Sequence, residues 1–142
     1  MKTVKYILEN KIKTIVSVSP NDSVLEALRI MMEKNISALL VVDQEVLLGI
    51  FTERDYARKI ILKGRSSAGT AIHEVMTANP HTVGFNDAID HCMQLMTNRH
   101  FRHLPVVENG QLMGIISIGD LVKYIIEDQR ETINQLESYI NS

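Results

Sequence analysis

This 142-residue sequence has one cysteine, three prolines and no tryptophan, and its formal net charge is only -2. A single cysteine cannot form a disulfide within the chain, so packing alone must hold the fold together. The small net charge predicts no general attraction to nucleic acid or to an acidic membrane. No apolar run reaches the ~18 residues that a membrane helix needs, and the first residues lack the apolar stretch of a signal peptide. These absences predict a cytoplasmic protein with no membrane partner and argue against a nucleic-acid partner.

What is present is enough apolar material for a sizeable core. Hydrophobic residues make up 45% of the chain and charged residues 23%. A chain of this length can bury roughly 68–70% of its unfolded surface. The single cysteine, Cys92, shares a helical face with Ile89, Met93 and Met96, which favours a core position over a reactive thiol.

The sequence also consists of two similar copies, which align with each other without a gap. Val18 recurs as Val83, 65 positions later, and the offset is the same for every matching pair. Two copies of this length indicate a tandem duplication with an approximate two-fold axis and a cleft between the halves, not a stacked array. The remaining pairs are Asn21 and Asn86, Asp22 and Asp87, Met31 and Met96, Leu39 and Leu104, Val41 and Val106, Val42 and Val107, Leu47 and Leu112, Gly49 and Gly114, Ile50 and Ile115, and Asp55 and Asp120.

Each copy predicts the order strand, helix, strand, strand, helix, and hence an α+β (α/β-like) fold. Apolar residues recur at helical spacing over Asp22 to Lys34 and Asp87 to Arg99. Short apolar runs after these helices predict two adjacent strands, and Asn109-Gly110 is a strong hairpin signal in the second copy. The predicted strands are 15–18, 38–42 and 47–51 in the first copy and 82–83, 104–107 and 112–116 in the second.

A stretch of small and polar residues, 63–69, separates the copies. It predicts a first unit over 1–68, with an N-terminal helix, and a second over 69–142, with an extended C-terminal helix of about five turns. The apolar residues of that last helix exceed what one module can cover, which predicts a homodimer. They are Leu121, Ile125, Ile126, Ile133, Leu136 and Ile140.

The chemistry is concentrated in one motif that occurs in both copies: Gly, two apolar residues, Thr or Ser, two variable residues, Asp. We call Gly49–Asp55 and Gly114–Asp120 the aspartate motifs. One interpretation is a helix cap, in which Thr52 or Ser117 and the following acid form a capping box. The other is a ligand site, in which Asp55 or Asp120 accepts hydrogen bonds from a vicinal diol such as a ribose. The presence of Asp where a cap prefers Glu, and of Gly where a backbone passes closely, favours ligand binding, and the two interpretations are compatible.

Cationic side chains are concentrated in the second copy. Arg99, His100, Arg102 and His103, here the basic cluster, have mostly neutral counterparts in the first copy, and Arg54 has no counterpart in the second. The cluster is either a solvated turn or a phosphate clamp at the cleft, because Arg and His donate hydrogen bonds that suit phosphate. No acid or cysteine lies near His100 and His103 at ligand spacing, so a metal site is disfavoured. No catalytic triad or phosphate-loop pattern is present, which predicts a protein that is not an enzyme and needs no cofactor.

The aspartate motifs, the strands over 36–43 and 101–108, and Glu74-Val75-Met76-Thr77 resemble paired cystathionine-β-synthase (CBS) domains, which form a Bateman module. The resemblance covers nearly the whole chain and is closest to stand-alone two-domain proteins of bacteria and organelles. It implies an adenosine-nucleotide sensor in which Asp55 or Asp120 holds the ribose and Thr52 or Ser117 supports ribose or phosphate. The strands before the first helix of each copy would border the adenine. It also implies pairing into a disc of four CBS domains.

The resemblance and the basic cluster together predict a set of ligand-binding residues. They are Ile15, Ser17, Val18, Ala38, Thr52, Arg54, Asp55, Thr82, Val83, Arg99, His100, Arg102, His103, Pro105, Ser117 and Asp120. AMP is the first expected ligand, with ADP, ATP, NAD and S-adenosylmethionine also found across the family, and the regulated partner protein is unidentified. Two alternatives stay open: a ligand-independent assembly protein, for example a regulator of a redox partner, and a small enzyme acting on a nucleotide.

Overall fold

Each copy of the repeat folds around an antiparallel strand pair with helices packed against it. A computed structural model describes residues 2–11 and 15–141. The first copy contains β1 (Ser17–Val18), α2 (Val24–Lys34), β2 (Ala38–Asp43), β3 (Val46–Thr52) and α3 (Glu53–Tyr56), with a π-helical turn over Ala57–Ile61. The second contains α4 (Ile89–Arg99), β5 (His103–Glu108), β6 (Gln111–Ser117) and α5 (Ile118–Asn141). The predicted α+β fold is confirmed.

Three short elements connect or flank the copies. Helix α1 (Val4–Glu9) precedes the first copy, and a 3₁₀ turn (Ile72–Glu74) and β4 (Thr77–Ala78) lie between the copies. β4 adds to the first copy's sheet, giving the order β1-β2-β3-β4. The predicted strand at 82–83 reduces to an isolated parallel bridge between Val83 and Val106.

The hairpins of the two copies match residue for residue. Strands β2 and β3 carry a bulge between Val41 and Val42, and β5 and β6 carry one between Val106 and Val107. The predicted Asn109-Gly110 turn is confirmed, with φ of 51° and 78°. The first hairpin turns through Gln44 and Glu45, also at positive φ (49° and 66°) although neither is glycine. Positive φ at both central residues suits the right-handed twist of the strands.

Helices α2 and α4 begin two residues later than the sequence predicted. Asp22 and Asp87 remain in the preceding loop, where each carboxylate accepts a backbone N–H three residues earlier, from Ser19 at 2.9 Å and Gly84 at 2.7 Å. Short acidic side chains favour such turns over helix interiors. Both helices end at a left-handed residue, Asn35 in α2 and His100 in α4.

Each copy has its own hydrophobic core, and α1 belongs to the second. Val4 and Ile7 are buried among Cys92, Leu104 and Leu121. The backbone N–H groups of Val4 and Lys5 donate to the carbonyls of Asp87 (3.0 Å) and Phe85 (3.1 Å). The predicted division of the chain placed an N-terminal helix in the first unit, 1–68. Packing joins it to the second.

The last helices of the two copies differ most. The helix of the first copy ends in the π-helical turn at Ile61, whereas α5 is 24 residues long, about 6.7 turns and longer than predicted. Among the described residues, no helix combines the length and the apolarity that crossing a bilayer requires.

Candidate functional site

Asp55, the acid of the first aspartate motif, is buried and surrounded by four donors. Its Oδ2 accepts from the backbone N–H of Thr52 (3.0 Å) and from the Thr52 hydroxyl (3.1 Å). Its Oδ1 accepts from the Thr77 hydroxyl (3.1 Å) and pairs with Lys59 Nζ (3.0 Å). A carboxylate has about four acceptor positions, so Asp55 is saturated by protein groups.

Asp120, the acid of the second motif, is more open. Its Oδ2 accepts from the backbone N–H of Ser117 (2.8 Å) and from Lys11 Nζ (2.8 Å). Hydrogen bonds from described residues fall on this one oxygen, and the side chain is 24% exposed, against 10% for Asp55. Burial raises the pKa of Asp120, but the hydrogen bonds from Lys11 and Ser117 and the Lys11 charge outweigh it, so the pKa lies below its usual value.

The capping interpretation is confirmed in both copies. The Asp55 N–H donates to the Thr52 hydroxyl and the Asp120 N–H to the Ser117 hydroxyl, each at 3.2 Å, which completes the reciprocal bonds of a capping box. The presence of Asp where a cap prefers Glu is therefore no longer an argument for a ligand.

Gly49 has a structural explanation as well. A Cβ there would lie 2.7 Å from Met76 Sδ and 2.8 Å from the Thr77 carbonyl, because β4 passes directly beside it. The neighbour that requires a glycine in the first motif is thus a strand, so this glycine is no longer an argument for a ligand.

A cavity of about 480 Å³ lies where Arg54 of the first copy reaches the second. Its walls combine apolar and cationic side chains from the end of α4, the loop before β5 and the start of α5. Arg54 Nη1 donates to the His100 carbonyl at 2.8 Å, which connects the copies at the edge of the cavity. The lining residues are Arg54, Met96, Thr97, His100, Phe101, Arg102 and Ile118.

The structure divides the basic cluster. His100 and Arg102 line the cavity with Arg54, whereas Arg99 is exposed on α4 and is not among the lining residues. His103 contacts the other copy, with its Nε2 3.3 Å from the Ser37 hydroxyl. Burial lowers the pKa of His103, the charges of Lys11 and Arg102 lower it further, and Asp120 opposes them.

The other predicted residues fall into two groups. Val18, Ala38 and Pro105 are buried in strands and Val83 is buried at its isolated bridge, so only their backbone could border a ligand. Ile15, Ser17 and Thr82 are exposed. None of these seven residues lines the cavity.

Sequence reasoning missed the two lysines that neutralise the acids. Lys59 is four residues after Asp55, a spacing that brings side chains together on a helix and could have identified it. Lys11 is 109 residues from Asp120, and no local pattern signals such a contact. Phe101 was also missed as a wall of the cavity, where its ring stacks with His81 at a centroid distance of 6.3 Å.

Cys92 lies in the second core, as predicted. Its side chain is fully buried, and burial raises the pKa of the thiol to about 11. The thiolate, which is the reactive form, is therefore scarce at neutral pH.

Comparisons with known proteins agree with this architecture. The CBS domain model matches twice, over residues 10–62 and 72–127. The mitochondrial CBS domain-containing protein CBSX3 of Arabidopsis thaliana is 41% identical over 125 residues, which is 84% of this chain but 61% of that protein. The chain thus spans less than two thirds of that relative.

Solved structures are similar over nearly their whole length. A protein with CBS domains from Burkholderia ambifaria MC40-6 is 51% identical, with a TM-score of 0.87 over 90% of this chain and 96% of that one. The CBS domain pair of protein MJ0100, solved with 5′-methylthioadenosine and S-adenosyl-L-methionine, is 28% identical, with a TM-score of 0.79 over 90% and 98% of the two chains. Since both copies match the family model and the fold matches solved domain pairs, this chain belongs to the CBS-domain family as a tandem pair of CBS domains.

Proposed function

We propose that this CBS pair is a regulatory module that binds an adenosine nucleotide, AMP first, and thereby modulates a partner protein. The observation that carries the proposal is the cavity of the second copy that Arg54 of the first copy reaches, which has both apolar and cationic walls. Its volume of about 480 Å³ lies within the range of small-molecule sites, roughly 300–1,000 Å³.

The two kinds of wall suit the two ends of a nucleotide. Met96, Phe101 and Ile118 offer apolar surface to a purine ring. Arg54 and Arg102 carry guanidinium groups, which hold phosphate oxygens through paired hydrogen bonds. ADP, ATP and NAD share this chemistry and are the next candidates.

Asp120 is the residue we assign to the ribose. Asp120 is not among the residues that line the cavity, but its charge acts on His103, which contacts the first copy, and its Oδ1 receives no hydrogen bond from the described residues. A ribose diol could therefore bind without breaking the cap. Asp55 would first have to release one of its four donors.

The similar CBS pair of MJ0100 supports an adenosine ligand, since both of its bound compounds contain adenosine. Neither compound carries a phosphate group. The two arginines of this cavity distinguish our proposal, because they favour ligands with a phosphate.

Calorimetric titration with AMP, adenosine, 2′-deoxy-AMP and GMP tests the proposal, together with thermal shifts. At 100 times its dissociation constant a ligand adds ~2.7 kcal/mol to stability, which is a melting shift of roughly 5–10 °C for a chain of this size. AMP should give this shift and GMP less. A flat response to every adenosine compound would reject ligand sensing.

Arg102→Ala locates the phosphate, with Arg99→Ala as the matched control because Arg99 is exposed and lies outside the cavity lining. Losing hydrogen bonds to a charged group costs about 1.5–3 kcal/mol, or roughly 10- to 150-fold in affinity. Arg102→Ala should weaken AMP by this factor and adenosine little, while Arg99→Ala leaves both unchanged. Adding His103→Ala then measures what the imidazole contributes. Equal losses for AMP and adenosine would mean that these residues shape the cavity without binding phosphate.

A second candidate is a ligand-independent assembly protein, for example a regulator of a redox partner. The saturated Asp55 and the exposed apolar residues of α5 favour it. The flat thermal response described above would support it. We also propose that the chain is not an enzyme, and recovery of unaltered AMP after prolonged incubation checks this.

Assembly and location complete the proposal. We place the protein in the cytoplasm as a homodimer, arranged as a disc of four CBS domains. Exposed apolar side chains on both copies, Met32 and Leu62 in the first and Val122 and Ile126 in the second, support self-association.

A further inference from the structure

Helix α5 continues well past the domain it belongs to. The CBS model ends at residue 127, whereas α5 runs to Asn141. Every residue from Ile126 to Asn141 is exposed, including Ile133 (53%), Leu136 (57%) and Ile140 (76%). Most helix stability in proteins comes from packing of an apolar face, and the domain of this segment does not supply that packing.

The apolar residues of this segment follow a heptad repeat. Isoleucine occupies three a positions, and the d positions are apolar except for one glutamine. The a positions are Ile126, Ile133 and Ile140, and the d positions are Val122, Gln129 and Leu136. The outer b, c and f positions are polar or charged over the same stretch: Glu127, Asp128, Glu131, Asn134, Gln135 and Ser138. Isoleucine at a with leucine at d is typical of two-stranded parallel coiled coils.

We propose that this stripe, Val122 to Ile140, packs against the same stripe of a second copy as a parallel, in-register, two-stranded coiled coil. Its length is about 28 Å at 1.5 Å per residue. The stripe is turned about a quarter of a circle from Leu121, which faces the domain core, at ~100° per residue. A second helix can therefore lie along it while the first turn of α5 stays packed on its own domain.

Gln129 indicates that the partner of this stripe is a second copy of the same helix in parallel orientation. In a parallel, in-register pair the two Gln129 amides face each other, and each can donate to and accept from the other. In an antiparallel pair each a residue faces a d residue, so Gln129 faces Ile133 and its amide loses that partner. A buried amide without a hydrogen bond is costly, and polar core residues of this kind fix register and orientation. The stripe is thus complementary to itself in one orientation.

The pairing specifies how the proposed homodimer is built. A parallel pair requires a two-fold axis along α5 and places both CBS pairs at the same end of the coiled coil. A coil of three heptads is weak alone, and contact between the domain bodies would strengthen it by raising the effective concentration.

Disulfide cross-linking tests the orientation. The background is Cys92→Ala, because alanine occupies the equivalent core position, Ala27, in the first copy. In that background Leu136→Cys should cross-link to itself under mild oxidation, at least 10-fold more than Glu131→Cys, an exposed outer position of the same helix. A mixture of Ile126→Cys and Leu136→Cys chains should give little mixed dimer, since those positions meet only in an antiparallel pair. A dominant mixed dimer, or equal cross-linking at Glu131→Cys, would overturn the proposal.

Sedimentation measures the strength of the pairing in the full chain. Ile133→Asp combined with Leu136→Asp should raise the dimer dissociation constant at least 10-fold, while Glu131→Gln leaves it unchanged. A monomer at tens of micromolar for the unmodified chain would also overturn the proposal. AMP titration of the same samples separates the two proposals: AMP binding without cross-linking refutes only the coiled coil, and cross-linking without AMP binding refutes only the ligand function.

Discussion

The aspartate motifs of the two CBS domains have the same sequence pattern and the same cap, yet their acids are neutralised differently. Asp55 pairs with Lys59, one turn further along its own helix, and also accepts a hydrogen bond from the Thr77 hydroxyl. Asp120 pairs with Lys11, which lies beyond α1 at the other end of the chain. The residues equivalent to these lysines at the 65-residue offset are Tyr124 and Met76, so neither ion pair is repeated.

This difference separates two roles that the duplicated motif could combine. In the first domain the acid is a structural residue whose acceptor positions are filled. In the second it has the same cap but keeps an oxygen that the described residues do not use. The duplicated motif thus gives the same cap in both copies, while the partners of its acid differ between them.

The largest effect on the free energy of unfolding should come from Asp55→Ala. The change removes a capping box and leaves Lys59 and the Thr77 hydroxyl without their acceptor. Since hydrogen bonds to a charged group contribute about 1.5–3 kcal/mol and Lys59 is partly exposed, we expect a loss of ~2–3 kcal/mol, discounted for solvent screening. That is roughly 5–10 °C in melting temperature. AMP affinity measured well below the transition should change little, and a large loss of affinity at unchanged stability would reverse the assigned roles.

Asp120→Ala should show the opposite pattern. We expect AMP affinity to fall roughly 10- to 150-fold. The loss of stability should be smaller than in Asp55→Ala, because the Asp120 side chain is more exposed and accepts fewer hydrogen bonds than Asp55. Calorimetry with 2′-deoxy-AMP provides the control, since a ligand that lacks one ribose hydroxyl should lose less on this substitution than AMP does. Identical losses of affinity for both ligands would mean that Asp120 does not bind the ribose.

Lys11 packs against the second domain, and its equivalent at the 65-residue offset, Met76, packs against the first. The substitution Lys11→Met therefore gives both domains a methionine at this position. Lys11 Nζ donates to the Ile115 carbonyl as well as to Asp120, both at 2.8 Å, and fixes the chain just after α1. A partly exposed ion pair contributes up to about 1 kcal/mol, so local opening should rise by no more than ~5-fold. The labelling rate of the Cys92 thiol reports this opening, because α1 covers the same core. Lys59→Met should leave that rate unchanged, and a common response to both substitutions would contradict the division between domains.

The smallest expected effect is the change of stability with pH that His103 causes. Because the pKa of His103 is lowered in the fold, the unfolded chain binds more protons near pH 6.5, and stability should fall as pH decreases through that region. His103→Asn should flatten this part of the stability profile. Any tightening of AMP through protonated His103 as pH falls should disappear in the same variant. Tightening that persists in His103→Asn would point to another group.

Much of the fold follows from local sequence patterns. Helical periodicity predicted α2 and α4 within two residues, and Asn109-Gly110 predicted the second hairpin. Cys92 was placed in the core correctly from its apolar neighbours. These features depend on residues a few positions apart, where pattern and structure are directly linked.

The surroundings of the site could not be predicted in the same way. The Lys11–Asp120 ion pair, the close approach of Met76 to Gly49 and the contact between Ser37 and His103 join residues that are distant in sequence. Gly49 shows the consequence most clearly, because a close neighbour was predicted but its identity as β4 was not. Tertiary packing decides which chain segment fills such a position.

The packing of α1 on the second domain has a consequence for synthesis. The helix is synthesised before both domains, but its binding surface includes Leu104 and Leu121, which follow Val4 by 100 and 117 residues. At a synthesis rate of 5–20 residues per second, the apolar face of Val4 and Ile7 stays uncovered for about 6–23 s until Leu121 has been made. The first domain can fold during this interval, and α1 then docks on the second domain as a late step.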